Sequence, residues 1–107
     1  MKTSELVGAQ LDYAVGRCRG LTLELHGVVP YSTDWVHGGP VIEQEKINVR
    51  FITPNASTPS CWAYMSMKSD DFNVEEWGDT PLVAAMRCYV ASKLGNEVEI
   101  PEEITNE

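Results

Sequence analysis

Positive charge is what this chain has least of: eight Lys and Arg stand against sixteen Asp and Glu, a formal charge of -8. Such a surface repels phosphate backbones, which argues against non-specific binding of nucleic acid. Cysteine is scarce as well. Cys18, Cys61 and Cys88 are an odd number without C-x-x-C spacing, each set among apolar residues. They read as reduced, buried small side chains, not as a disulfide frame. The two histidines, His26 and His37, have no ligand spacing around them, so no metal is expected and no cofactor motif is present. No apolar run approaches the roughly 18 residues of a membrane span, and Met1-Lys2-Thr3-Ser4-Glu5 lacks a signal-peptide core. The expected setting is the cytosol, with no membrane partner. Without a secretory signal, Asn55-Ala56-Ser57 carries no meaning as a glycosylation acceptor. Internal repeats and low-complexity tracts are absent.

What is present is organised around residues 80–95. Thr80 can cap the first turn of a helix, Pro81 fits its first position, and Gly95 can take the left-handed turn that ends it. Leu82, Val83, Met86, Tyr89, Val90 and Leu94 form a broad apolar face, while Ala84, Ala85, Cys88, Ala91 and Ser92 form a small, uncharged one. An exposed helix would carry Lys and Glu there. The expectation is therefore a rod covered on both sides, by a sheet on the large face and by a helix or a second subunit on the small one. Ala84, Cys88 and Ala91 would then suit a homodimer contact.

Earlier in the chain, Thr3 or Ser4 can cap a first helix with Val7, Leu11, Ala14 and Cys18 as its apolar stripe and Gly20 as its stop. Gly8 and Gly16 within it suggest close approach of another backbone. Leu21–His26 alternates as a strand, with three leucines on one face. Gly27–Pro40 has no periodicity and reads as a loop dense in turn formers and aromatic rings, after which Pro40 opens a short helix, Val41–Lys46. Ile47–Ile52 is a second strand with Ile47, Val49 and Phe51 inward, residues 53–60 a hairpin connection, and Cys61–Met67 a third strand. Its two faces are Cys61, Ala63, Met65 and Met67 against Trp62, Tyr64 and Ser66, and pattern leaves open which one is buried. Lys68–Asp79 is acidic, with Phe72, Val74 and Trp77 as anchors and room for a short turn of helix. Val98 and Ile100 suit an edge strand or an apolar clasp. The result is a small α+β domain over residues 1–101, a sheet of three or more strands packed by the N-terminal and C-terminal helices, with 102–107 as an acidic, disordered tail. At this length it buries about two thirds of its unfolded surface.

Lys2-Thr3-Ser4-Glu5-Leu6, Tyr31-Ser32-Thr33-Asp34-Trp35 with Gly38-Gly39-Pro40 after it, and the run from Thr80 to Gly95 together resemble the NinX family of phage proteins. More distantly, the chain is similar to phage "ABA sandwich" domains, which share the Tyr-Ser-Thr-Asp-Trp loop and a late helix. The resemblance implies a small accessory protein of a phage or prophage acting in the bacterial cytoplasm, and brings no catalytic assignment. The helix and strand order is also similar to that of double-stranded-RNA-binding domains. Those need lysines at the start of the last helix, where this chain has Asp79, Thr80 and Pro81, so that reading is rejected.

Two surfaces are candidates for function. The first is the loop of Tyr31, Ser32, Thr33, Asp34, Trp35, His37, Gly38 and Gly39, joined by Trp62, where hydroxyls, flat rings and glycine amides could meet a small anionic ligand. Its plainer alternative is a capped helical turn with Trp35 as a core ring. The second is the outer sheet face: Thr22, Glu24, His26, Asn48, Arg50 and Ile52, with Trp62, Tyr64 and Ser66 if that side of the third strand faces out. Three functional readings follow. The favoured one is a non-enzymatic phage accessory protein that binds a host or phage component, with antagonism of bacterial anti-phage defence as its setting. The second is sequestration of a signalling nucleotide by the Tyr31–Gly39 loop. The third is a small hydrolase using Asp34 and His37, although no nucleophile elbow or oxyanion turn accompanies that pair.

Overall fold

Three strands form an antiparallel sheet in sequence order in the computed structural model, which describes residues 1–52, 61–66 and 73–104: β1 (Asn48–Phe51), β2 (Cys61–Ser66) and β3 (Asn73–Gly78). The expected hairpin connection at 53–60, Met67, Phe72 and the last three residues of the expected tail lie outside the described residues. Directly opposed residues share a face. The register sets Arg50 opposite Trp62 and Trp62 opposite Trp77, while Asn48 faces Tyr64 and Tyr64 faces Glu75. The outer face is therefore Asn48, Arg50, Trp62, Tyr64, Glu75 and Trp77. Cys61, Ala63 and Met65 are buried with Val74 and Glu76 on the inner face, which settles the orientation that alternation left open.

Four α-helices among the described residues complete the α+β fold: α1 (Gly8–Cys18), α2 (Leu23–His26), α3 (Trp35–Glu45) and α4 (Pro81–Leu94). Helix α4 lies across the inner face of all three strands, and α1 and α3 pack on its far side. The order of layers is thus sheet, α4, then α1 with α3. The N-terminal helix stands behind α4 instead of against the sheet. The ends of α4 fall where its signals placed them. Thr80 Oγ1 accepts from the Val83 amide at 3.1 Å, Pro81 occupies the first turn, and Gly95 turns away at φ +83°.

The two flanks of α4 are covered largely in the reverse of the expected order, although Val83 of the large face also meets β3 at Gly78. The small flank faces the sheet: the Cys88 thiol donates to Val74 O at 3.4 Å, and a Cβ on Gly78 would lie 2.7 Å from the Ala84 amide nitrogen. Small side chains let the helix backbone settle directly on β3, whereas the larger Leu82 reaches Gly38 of α3 and Lys93 pairs with Glu45 of α3 at 3.8 Å. Of the residues offered for a homodimer, Ala84 and Cys88 have no exposed surface, whereas Ala91 is half-buried.

Several local expectations give way for identifiable reasons. Thr3 caps no long helix; it starts a three-residue 3-10 turn, its amide donating to Asn96 O at 2.9 Å and its Oγ1 to Gly95 O at 2.6 Å. With Val98 N donating to Met1 O at 2.9 Å, the two ends of the chain form a clasp, and Ile104, assigned from sequence to the tail, is buried against it. Gly16 admits no close backbone, since a Cβ there would meet only Leu21 at an ordinary 3.8 Å, and Gly8 serves a positive φ at the helix entrance. Leu21–His26 is not a strand. Gly20 and Gly27, both at positive φ, bracket it; Thr22 caps one helical turn by accepting from Leu25 N, and Leu25 is 82% exposed. Leu and Glu favour helices, and alternation over so short a run does not outweigh that preference. At the sheet's edge, Phe51 shares the inner face with Cys61, as expected, but stays 77% exposed. The acidic stretch expected to hold a helical turn supplies β3.

Candidate functional site

Helix α3 begins five residues before Pro40. Asp34 is its N-cap, with Oδ1 accepting from the Val36 amide at 2.9 Å, and its main-chain carbonyl accepts from the His37 and Gly38 amides. Pro40 sits inside the helix, where its missing N–H removes the bond to the Val36 carbonyl, on a turn whose Val36 is 76% exposed. What outweighs that cost is the fit of Gly38. A Cβ at that position would lie 2.3 Å from Tyr31 O and 2.6 Å from Leu82 Cδ2, so the glycine admits two core neighbours and its amide is engaged by Asp34. Gly39, by contrast, has only the Trp35 ring near it.

Asp12 holds the start of this segment. Its Oδ1 accepts from the Ser32 amide at 2.7 Å, tying the 31–34 turn to α1. Burial pushes the Asp12 carboxyl above the ordinary carboxylate range, and hydrogen bonding from Ser32 pulls it partly back. Sequence reasoning missed Asp12; an acid beside Leu11 in an apolar helix stripe was the available signal. Tyr31 is buried, with the Arg19 guanidinium 5.8 Å above its ring and His37 edge-on at 6.3 Å. The His37 ring thus meets Tyr31, and Asp34 Oδ1 is taken by Val36; the described geometry does not orient the two as acid and base. Burial also raises the thiols, Cys18 to about 11 and Cys88 to about 12, which keeps both protonated.

Ser32, Thr33 and Trp35 meet Thr80, Pro81, Leu82 and Val83 around a cleft of about 280 Å³. Neither His37 nor Trp62 lines it. Trp35 is 57% exposed and so is no core ring. Trp62 belongs to the other candidate surface. On the outer sheet face its ring stacks on Tyr64, with centroids 4.6 Å apart and planes at 30°, and Trp77 and Arg50 flank it across the register. The Trp62 indole N–H is shielded from water and meets no acceptor among the described residues. Thr22, Glu24 and His26, assigned to this face from sequence, are on α2 instead. Trp77 and Glu75 join it, having been missed because β3 was not read as a strand.

The model of the family described as bacteriophage P22 NinX matches residues 29–93, more than half of the chain. The chain belongs to the NinX family. No curated protein matches it. The NinX match spans α3, all three strands and most of α4, so both candidate surfaces fall within the family region, while α1 and the terminal clasp lie outside it. No described helix is long and apolar enough to cross a membrane, and no three His, Cys, Asp or Glu side chains converge among the described residues.

Proposed function

We propose that this NinX-family chain is a non-enzymatic accessory protein of the bacterial cytoplasm that binds a host or phage protein, with antagonism of anti-phage defence as its biological setting. The observation that carries the reading is the outer sheet face. Trp62, Tyr64 and Trp77 lie side by side with Arg50 on a surface against which no described helix packs. Aromatic rings and arginine dominate the energetics of protein interfaces. A fold that needed those rings for stability would have turned them toward α4.

The competing reading, a nucleotide held at the Tyr31–Gly39 segment, finds less support. The 280 Å³ cleft sits at or below the lower end of ordinary ligand pockets, roughly 300–1,000 Å³. Asp34 caps α3 and Asp79 precedes the Thr80 cap of α4, so each of those helix starts carries a carboxylate that opposes a phosphate.

The test compares a Trp62→Ala/Trp77→Ala double variant with Trp35→Ala, in cells carrying defined defence systems. The outer-face variant should lose both capture of an enriched partner and any gain in phage plating, while Trp35→Ala keeps them. Full retention of both by the double variant would remove the outer face from the mechanism.

A further inference from the structure

The outer edge of β3 adds a second feature to the same side of the molecule. In an antiparallel pair, alternate residues direct their main-chain groups toward the partner strand and away from it. Trp77 directs its groups away from β2: Arg87 Nη1 donates to Trp77 O at 2.7 Å, and the Glu76 carboxylate accepts from the Trp77 amide. Glu75, two residues earlier, shares that outward edge. Among the described residues, no strand pairs with it. Edge strands are commonly guarded by proline, lysine, a bulge or an inward-pointing charge; Asn73-Val74-Glu75-Glu76-Trp77-Gly78 has no Pro or Lys, and its inward charge, Glu76, acts with Arg87 at Trp77 and not at Glu75.

Beside this edge runs a groove of about 480 Å³, walled by Val74, Glu75, Glu76 and Trp77 on one side and by Ala91, Ser92, Gly95 and Asn96 on the other. Its chemistry is apolar with one sign of charge. Glu75 and Glu76 border it, the carbonyl end of the 14-residue α4 closes it, and among the described residues no Lys or Arg lines it, Arg87 being held beside it on Trp77 O. Lys93, the basic residue in the last turn of α4, is drawn off to Glu45 at 3.8 Å. A second copy of the same edge would set glutamates against glutamates, on a chain that already carries -8.

We propose that the β3 edge receives an extended, lysine- or arginine-rich segment of a partner protein as a fourth antiparallel strand, paired through the Glu75 main chain with alternate side chains in the groove against α4. Strand addition of this kind draws affinity from main-chain hydrogen bonds and specificity from the groove. The inference rests on the reading of the chain as a protein-binding module and names the chemistry of its partner.

The full chain is titrated, by fluorescence anisotropy, against three labelled octapeptides: one alternating Lys and Val, one alternating Glu and Val, and a Lys/Val peptide N-methylated at alternate amides. Only the unmethylated Lys/Val peptide should bind. Glu75→Pro removes the outward N–H at a position where an edge strand tolerates proline, and should weaken binding by about tenfold or more. Glu75→Gln keeps the main chain and should weaken it by about threefold at low salt, with less effect at high salt. Equal binding of the methylated and unmethylated peptides, or of the acidic and basic ones, would overturn the proposal. So would unchanged binding by a Glu75→Pro variant of native circular dichroism. The methylated peptide decides the matter on its own if that variant fails to fold. Partner capture lost in Trp62→Ala/Trp77→Ala but kept in Glu75→Pro would remove strand addition and leave the outer-face reading standing.

Discussion

The inner and outer faces of one small sheet are built from different materials. Inside, Cys61, Ala63 and Gly78 meet Ala84 and Cys88, and the backbone of α4 approaches β3 closely enough that a methyl group at Gly78 would not fit. Outside, the same strands carry two tryptophans, a tyrosine and an arginine. Large rings usually supply the bulk of a core. Here the bulk comes instead from Leu6, Leu11, Val41 and Met86 on the helical side of the molecule, while the seam between helix and sheet depends on fit. A seam built from small residues is unforgiving of added volume, and an aromatic face left outside it is free for recognition.

The sharpest way to break that contrast is to add volume at the seam. Gly78→Val would place side-chain atoms within 3 Å of the Ala84 amide and of Val83 Cγ1, and a helix backbone cannot step aside as a flexible side chain can. The variant should lose about 3 kcal/mol or more in a denaturant titration. A loss under about 1 kcal/mol would mean that α4 slides freely over β3. Removing bulk from the fully buried Met86 should cost nearly as much, about 2–4 kcal/mol, through a cavity and not a clash. Thr80→Ala, which leaves the Val83 amide without its cap, should cost about 1 kcal/mol by the same measurement.

Glu76 sharpens the comparison, because it is a carboxylate on the inner face and only 8% exposed. Burial raises its pKa, and the charge of Arg87 and the Trp77 amide offset only part of the rise. A carboxyl that holds its proton more tightly when folded makes ionisation work against folding. The penalty is absent below the ordinary carboxylate range and grows as pH rises through the folded pKa. Glu76→Gln should therefore melt higher than the parent at pH 7 by roughly 1–4 °C, and the difference should close near pH 4. Asp12 has a raised pKa too, but it is common to both proteins and cancels in the comparison.

The contrast between faces was only half legible in the sequence. The boundaries of α4 could be read because Thr80, Pro81 and Gly95 each act through local chemistry, and the alternation of β2 could be read because it spans several residues. Which flank of α4 met the sheet could not be read, since it depends on how closely β3 approaches, and that is decided by Gly78 across the interface. Strand β3 was obscured because its inward positions are Val74, Glu76 and Gly78, only one of them hydrophobic. The span of α3 was hidden by Pro40, whose local cost is overridden by the tertiary fit of Gly38 beneath Leu82. The hydroxyl and aromatic loop looked like a ligand site because caps and anion sites draw on the same residue types. Its geometry is mostly that of a cap.

A small expected loss of stability is the one that bears most directly on function. Trp77 is 42% exposed and opposes Trp62 across β3 and β2. If the outer rings held the fold together, Trp77→Ala would behave like a core truncation and lose about 3 kcal/mol or more. A half-wet ring in a cross-strand pair supplies about 0.2–1 kcal/mol, so the melting temperature should fall by only a few degrees, roughly 1–6 °C. The Arg87 bond to Trp77 O involves main chain and survives the substitution, which keeps the edge of β3 in place. A folded Trp77→Ala protein that no longer captures its partner would separate recognition from stability at a single residue. A protein unfolded by the same change would put the outer face back into the core.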